Sequence, residues 1–447
     1  MILSLSSLAR FADWVRAIPP ARWYALFALA IVVLVGVSAY KHALKAQQLS
    51  RLGTQTKTAF LRWRTQVLGD ETPGRGAIPG LKRGDDIYRH YNYPNPPIMA
   101  LILWPFMELP PVAGAMTWYF LKVAMAIAAL VWTFRLCGPM PDWAKMVAVV
   151  LSLHPILGDL SHGNVNIFIA FLILATLELL RRRYDGMAGV VLALAVACKV
   201  TPALFLPYLV WKGAWKALIG YVLGMVLWVL VIPGALLGWE RNLTLNESWY
   251  EGMVKPFVVE GKVTSEHANQ SLPGVVFRLL TNQPSVVDYD ENDQPYGADY
   301  HNFTDIGEHS ARWLIRGFQV AFLAAIVWLC RSRSREGPWF AAECSLIVLG
   351  MLLFSERTWK HHGVTLMVPF AVLMTQSSRW AVGTLLAAGL LTIVPSLLPE
   401  AAQDLALTYG THTAAFLLLI VGMCGVMWSE RQRAEVLTDF GSLRLLS

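Results

Sequence analysis

Apolar runs close to the length of a membrane-spanning helix recur from one end of this chain to the other, and that recurrence leaves few folds open. About 20 apolar residues cross the ~30 Å hydrocarbon core as a helix, and inside lipid every backbone polar group needs an internal partner. Such runs fall near residues 24–40, 113–134, 143–157, 167–180, 187–211, 217–237, 313–330, 339–354, 364–375, 380–397 and 413–428. With 55% hydrophobic residues, only 15% charged and 18 Trp in 447 residues, no soluble globule could hide the apolar surface. The expected fold class is an all-α polytopic membrane protein, one integral domain over residues 1–447 with about ten to thirteen helices.

Breaks and charges organise those runs. Lys199 and Pro202 interrupt 187–211, so that stretch is expected to be kinked or to form two short crossings. Residues 97–109 are too few for a comfortable crossing and read as re-entrant or tilted. Cys137, Cys198, Cys330, Cys344 and Cys424 sit in or beside apolar segments without CxxC or zinc spacing, so they read as small buried hydrophobes, with no disulfide and no metal. The net charge of +7 is spread over helix ends, which favours a membrane surface and phosphate-bearing lipids over nucleic acid. Arg181-Arg182-Arg183, the run 331–335 and the tail 429–447 read as cytoplasmic. Loops 41–96 and 238–312, the segment around Gly163 and the stretch 355–362 then share the opposite face. Within 41–96, the helical spacing of Leu52, Thr56, Ala59, Phe60, Trp63 and Val67 predicts a helix lying in the interface or packed on the loop itself.

Several polar motifs interrupt this apolar background. In order they are Gly84-Asp85-Asp86-Ile87-Tyr88, Tyr93-Pro94-Asn95-Pro96-Pro97, Leu109-Pro110-Pro111, Gly163-Asn164-Val165-Asn166, Cys198-Lys199-Val200-Thr201-Pro202, Asn269-Gln270-Ser271-Leu272 and Trp359-Lys360-His361-His362. In that order the chain resembles glycosyltransferase family 87 over about residues 50–375. The resemblance implies a GT-C-like bundle, a polyprenyl-phosphate sugar donor such as a mannose lipid, an inverting transfer and no cofactor. Two departures stand out. Ala59-Phe60 occupies the place of the family's Asp-Phe or Asp-Leu pair, whose aspartate is the presumed base. Gly163-Asn164 replaces its Gly-Gln.

Sugar transfer from a lipid phosphate needs a base for the acceptor hydroxyl and cations for the departing phosphate. Asp86 and Asp85 follow a glycine just before the proline cluster and are the favoured catalytic carboxylates; a solvated acidic turn offsetting Lys82 and Arg83 is the plainer reading. Arg357, Lys360, His361 and His362 place four phosphate donors within six residues, and on a helix Arg357 and His361 would share a face. A cap that meets lipid headgroups would show the same pattern. Lys199 lies inside an apolar run, where an unpaired ammonium costs about 2.5–3.5 kcal/mol, so it needs an anionic partner unless it snorkels to the interface. Asp159, His162, Asn164, Asn166, Asn269 and Gln270 are expected to contact the sugar or shape the cavity, although Asn164 and Asn166 also fit helix caps.

The leading expectation is a multi-pass inner-membrane glycosyltransferase. It would move a mannose-like sugar from a polyprenyl-phosphate donor to a lipid-linked or cell-envelope acceptor on the non-cytoplasmic face, with no nucleic acid involved. A transporter or flippase of lipid-linked sugars and an inactive scaffold are the alternatives.

Overall fold

The computed structural model describes residues 20–52, 58–65, 76–89, 91, 93–289, 295–332 and 334–444. The chain is an all-α membrane protein, with one small antiparallel hairpin (β1, Val286–Tyr289; β2, Pro295–Asp299) in the long loop. Among the described residues, seven helices are long and apolar enough to cross a membrane: Ala21–Gln47, Pro111–Cys137, Asp142–His162, Trp215–Leu237, Gly307–Leu329, Arg379–Leu397 and Thr411–Arg433. Four shorter apolar helices, Pro97–Glu108, Asp185–Cys198, Thr201–Trp211 and Pro338–Leu353, take up other apolar runs. Helix Pro338–Leu353 is buried continuously from Phe340 to Leu353, so protein rather than lipid absorbs its apolar surface.

Six helices position the site. They are α1 (Pro20–Leu52), α2 (Ala59–Thr65), α3 (Pro111–Cys137), α4 (Asp142–His162), α5 (Asn166–Arg181) and α6 (Asp185–Cys198). α1 runs well past the expected end at Tyr40 because Lys41-His42-Ala43-Leu44-Lys45-Ala46 contains no helix breaker. Its outer face, including Leu29, Val32 and Val33, is exposed, as a lipid-facing helix requires.

The stretch from Asp185 to Trp211 goes in and comes back. α6 ends at Cys198, Lys199 is extended, and a 3₁₀ turn (Thr201–Leu204) starts the return through Phe205–Trp211. Pro202 sits at the start of that turn, where its missing N–H costs little. Both ends of the hairpin are tied on one side: Arg335 pairs with Asp185, and Lys212 reaches the buried Glu343 at 2.9 Å. Arg181 bonds Glu336 at 3.0 Å on that same side, so the two basic clusters read as cytoplasmic lie together. Lys199 is the hairpin's tip and meets Asn166, the first residue of α5, at the other end of the bundle.

Small residues let the hairpin pack closely. A Cβ at Gly189 would collide with the Ala217 carbonyl, and one at Gly220 would collide with the Gly186 carbonyl, so α6 and Trp215–Leu237 meet backbone to backbone.

In the first loop, Phe60 and Leu61 of α2 are fully buried and Trp63 sets its edge against Tyr93, ring centroids 5.4 Å apart. This apolar face covers protein; Thr56 and Val67 lie outside the described residues.

Candidate functional site

A turn between α4 and α5 builds the site. α4 ends at Gly163, whose φ of 64° suits glycine, and a Cβ there would come 2.6 Å from the Phe60 Cβ. The turn lets Asp159, on the last turn of α4, face the start of α5. Its Oδ1 accepts from the Asn166 Nδ2 at 2.9 Å and the Asn166 N–H at 3.3 Å, and its Oδ2 accepts from the Ile167 N–H at 3.2 Å. A carboxylate at a helix N-terminus satisfies otherwise unpaired N–H groups and complements the helix dipole.

Asp159 is fully buried and paired with an equally buried Lys122 of α3, which also donates to the Asp159 carbonyl at 2.8 Å. Lys199 donates to the Asn166 Oδ1 at 2.7 Å. The result is a chain of Lys122, Asp159, Asn166 and Lys199 in which the carboxylate meets one ammonium directly and the other through the Asn166 amide. Lys199 therefore has an amide, not an ion, as its direct partner. It borders a small cavity of about 30 Å³ whose polar wall includes Thr201, Ser355, Thr358 and His362.

The histidines form a second layer. The Asn164 Nδ2 donates to the His361 Nε2 at 2.9 Å, while its Oδ1 accepts from the Val165 N–H. His361 is thus an acceptor at Nε2 and neutral, and burial lowers its pKa from 6.5 to about 3. Its ring stacks on His162 at 5.1 Å and meets His362 edge-on at 4.8 Å. His362 Nδ1 accepts from the Trp359 N–H at 3.3 Å, and burial likewise holds it well below the usual range.

Beside His162 and His361 lies a larger cavity of about 420 Å³. Lys41, His42 and Lys45 of α1, His154 and Ser161 of α4, and Lys360 complete its polar wall, while Leu34, Val37 and Leu157 form an apolar side. Among the described residues no carboxylate lines it. Three lysines and an apolar wall on a lipid-facing helix thus border one cavity, and among the described residues no carboxylate stands with them.

The other sequence candidates lie outside both cavities. Asp86 accepts from the Ser248 Oγ at 2.6 Å and the Tyr88 N–H at 3.0 Å, and it pairs with Arg89 at 3.3 Å. Asp85 accepts from the Tyr91 Oη at 2.6 Å and from Arg83 at 3.2 Å. These carboxylates tie the first loop together and to the helix Trp239–Trp249. Arg357 donates to the Thr264 Oγ1 at 3.2 Å and pairs with Glu356 at 3.3 Å. The expected shared helix face with His361 does not form, because the chain is non-helical up to Trp359 and the Thr358 N–H is taken by the Asn269 Oδ1 at 2.9 Å. Burial raises the Glu356 carboxyl above the usual glutamate range.

Asn269 and Gln270 are braces. The Asn269 Nδ2 donates to the carbonyls of Thr264 and Glu356, and the Gln270 Nε2 donates to those of His267 and Leu407. Both side chains are buried and spent on backbone. Lys41, His42, Lys45, His154 and Lys122 escape the sequence reading; the four-residue spacing of Lys41 and Lys45, continuing the register of α1, is the signal that could have found the first cluster.

Fold and site together define an integral membrane protein with a lysine-lined cavity between its helices. The profile of Glycosyltransferase family 87 matches residues 93–355, more than half of the chain, and the chain belongs to that family. It is 28% identical over 274 residues to the polyprenol-phosphate-mannose-dependent alpha-(1-2)-phosphatidylinositol mannoside mannosyltransferase of Mycolicibacterium smegmatis, covering 58% of this chain and 54% of the relative. It is 25% identical over 278 residues to the protein of the same description from Mycobacterium tuberculosis, covering 62% and 56%. The chain spans about half the length of each of these relatives. α1, Ala59 and the pair His361-His362 fall outside the family match.

Proposed function

We propose that this chain is a membrane glycosyltransferase that takes a mannose-like sugar from a polyprenyl-phosphate donor and passes it to a lipid-linked or cell-envelope acceptor. The carbohydrate-handling end would face away from the cytoplasm in the inner membrane, opposite the Arg181 and Arg335 clusters. The observation that carries this reading is the cavity whose described wall holds Lys41, Lys45 and Lys360 but no carboxylate, with Leu34, Val37 and Leu157 on its apolar side. The lysines would hold the phosphate and stabilise the charge that grows on it as the sugar leaves, and the apolar side would admit the polyprenyl chain from the bilayer. Family membership and the names of the two relatives support the same donor class.

Such a reaction releases polyprenyl phosphate and forms a new glycosidic bond. Reconstitution in vesicles with radiolabelled polyprenyl-phosphate mannose tests it. Labelled sugar should move into an acceptor lipid fraction, and Lys360→Ala should lower that rate by about tenfold or more, the scale of one charged contact. Movement of the donor between leaflets with no transfer would make the protein a transporter. Donor binding with neither transfer nor movement would make it a scaffold, the outcome to which the apolar pair Ala59-Phe60 points.

A further inference from the structure

A transferase needs a group to accept the acceptor's proton, and the described wall of the large cavity holds no carboxylate. Resting on the reading above, we propose that His42 of α1 is the base that activates the acceptor hydroxyl. The ring is 1% exposed and forms part of the cavity wall. Its Nδ1 lies 3.3 Å from the Ser161 carbonyl, which only accepts, so Nδ1 carries the proton and Nε2 carries the lone pair. That Nε2 is buried and has no hydrogen-bond partner among the described residues. A buried acceptor left unpaired is unfavourable, and it is completed by a donor. A phosphate oxygen supplies none, whereas an acceptor hydroxyl does.

The ring has aromatic and charged neighbours. Tyr119 of α3 lies beside the ring at a centroid distance of 5.6 Å, and a Cβ built at Gly163 would come 3.4 Å from the His42 Cε1. The charged groups that act on it are Lys45 of its own helix and Lys122 of α3, with Lys41, His162, Lys360 and His361 also on the cavity wall. In the step, the hydroxyl proton passes to the His42 Nε2 as the acceptor oxygen bonds to the anomeric carbon. The bond from that carbon to the phosphate oxygen breaks, and its electron pair leaves with polyprenyl phosphate. The donor's single negative charge becomes two on the product, balanced by the imidazolium.

The test uses the full chain in vesicles containing envelope lipids extracted from its own host. Two quantities are read: transfer of label from polyprenyl-phosphate mannose, and donor affinity measured by displacement with polyprenyl phosphate. His42→Gln should lower transfer by about 10² or more while donor affinity stays within about twofold, the pattern of a lost base. Added imidazole should restore part of the rate in His42→Ala, which an unfolded variant would not allow. Transfer by His42→Gln within about threefold of the unsubstituted chain overturns the assignment and leaves the donor reading intact. Loss of donor affinity in His42→Gln also overturns it, since the ring would then be a phosphate ligand. An unsubstituted chain that binds donor and transfers nothing overturns both.

Discussion

The side-chain amide of Asn164 donates to the Nε2 of His361 across 2.9 Å, joining the α4–α5 turn to the 3₁₀ helix that begins at Lys360. His361 accepts at that nitrogen and its burial keeps it neutral, so it adds no charge to the lysines of the cavity.

That neutrality sets a pH dependence. The folded pKa of His361 is depressed to about 3 from an ordinary 6.5, so the unfolded chain binds the extra proton first as pH falls. Stability is complete above about pH 6.5 and declines below it, by up to about 2 kcal/mol at pH 5 for this one group. Melting of the solubilised protein at pH 7.5 and pH 5 checks this, and His361→Gln should reduce the difference between the two.

Asp159→Asn should be among the most destabilising single changes at the site. It leaves the fully buried Lys122 without its counter-ion, a loss of about 3–5 kcal/mol for a broken buried pair. Lys122→Met in the same chain should recover part of the folded yield, as seen by size-exclusion chromatography after detergent extraction. A double variant no better than Asp159→Asn would show that the pair is not the source of the loss.

Asp86→Asn and Ser248→Ala should behave alike, because each weakens the 2.6 Å bond between the first loop and helix Trp239–Trp249. Each should reduce transfer by less than about tenfold, within the net value of one hydrogen bond to a charged group. A loss of about 10² in Asp86→Asn alone would instead make this carboxylate the base, the role its place before the proline cluster suggests.

Lys199→Met should leave donor affinity for the large cavity within about threefold while slowing transfer, because Lys199 borders the smaller cavity and holds Asn166. Donor affinity and single-turnover transfer, measured on one preparation, separate the two effects.

The helices were legible because their apolar runs are long, and a break near Lys199 was legible because a lysine followed three residues later by a proline disfavours an unbroken lipid-facing helix, with a kink or two short crossings both open. Asp159, Asn164 and Asn166 could be grouped since they lie within one short stretch of sequence. Lys41, His42 and Lys45 could not be joined to Lys360, because those distant segments meet through α4, against which both α1 and the 3₁₀ helix beginning at Lys360 pack. Arg357 and His361 share no helix face: a four-residue spacing implies one only on a helix, and Asn269 holds that segment in a non-helical form. Asn269 itself shows that an amide motif does not distinguish a sugar ligand from a backbone brace.

A structure of the chain with polyprenyl-phosphate mannose bound tests the assignment of the large cavity to the donor most directly. The phosphate should lie within hydrogen-bond reach of Lys41, Lys45 or Lys360, with the prenyl chain leaving past Leu34 and Val37. A phosphate held at Arg357, or in the small cavity beside Lys199, would contradict it.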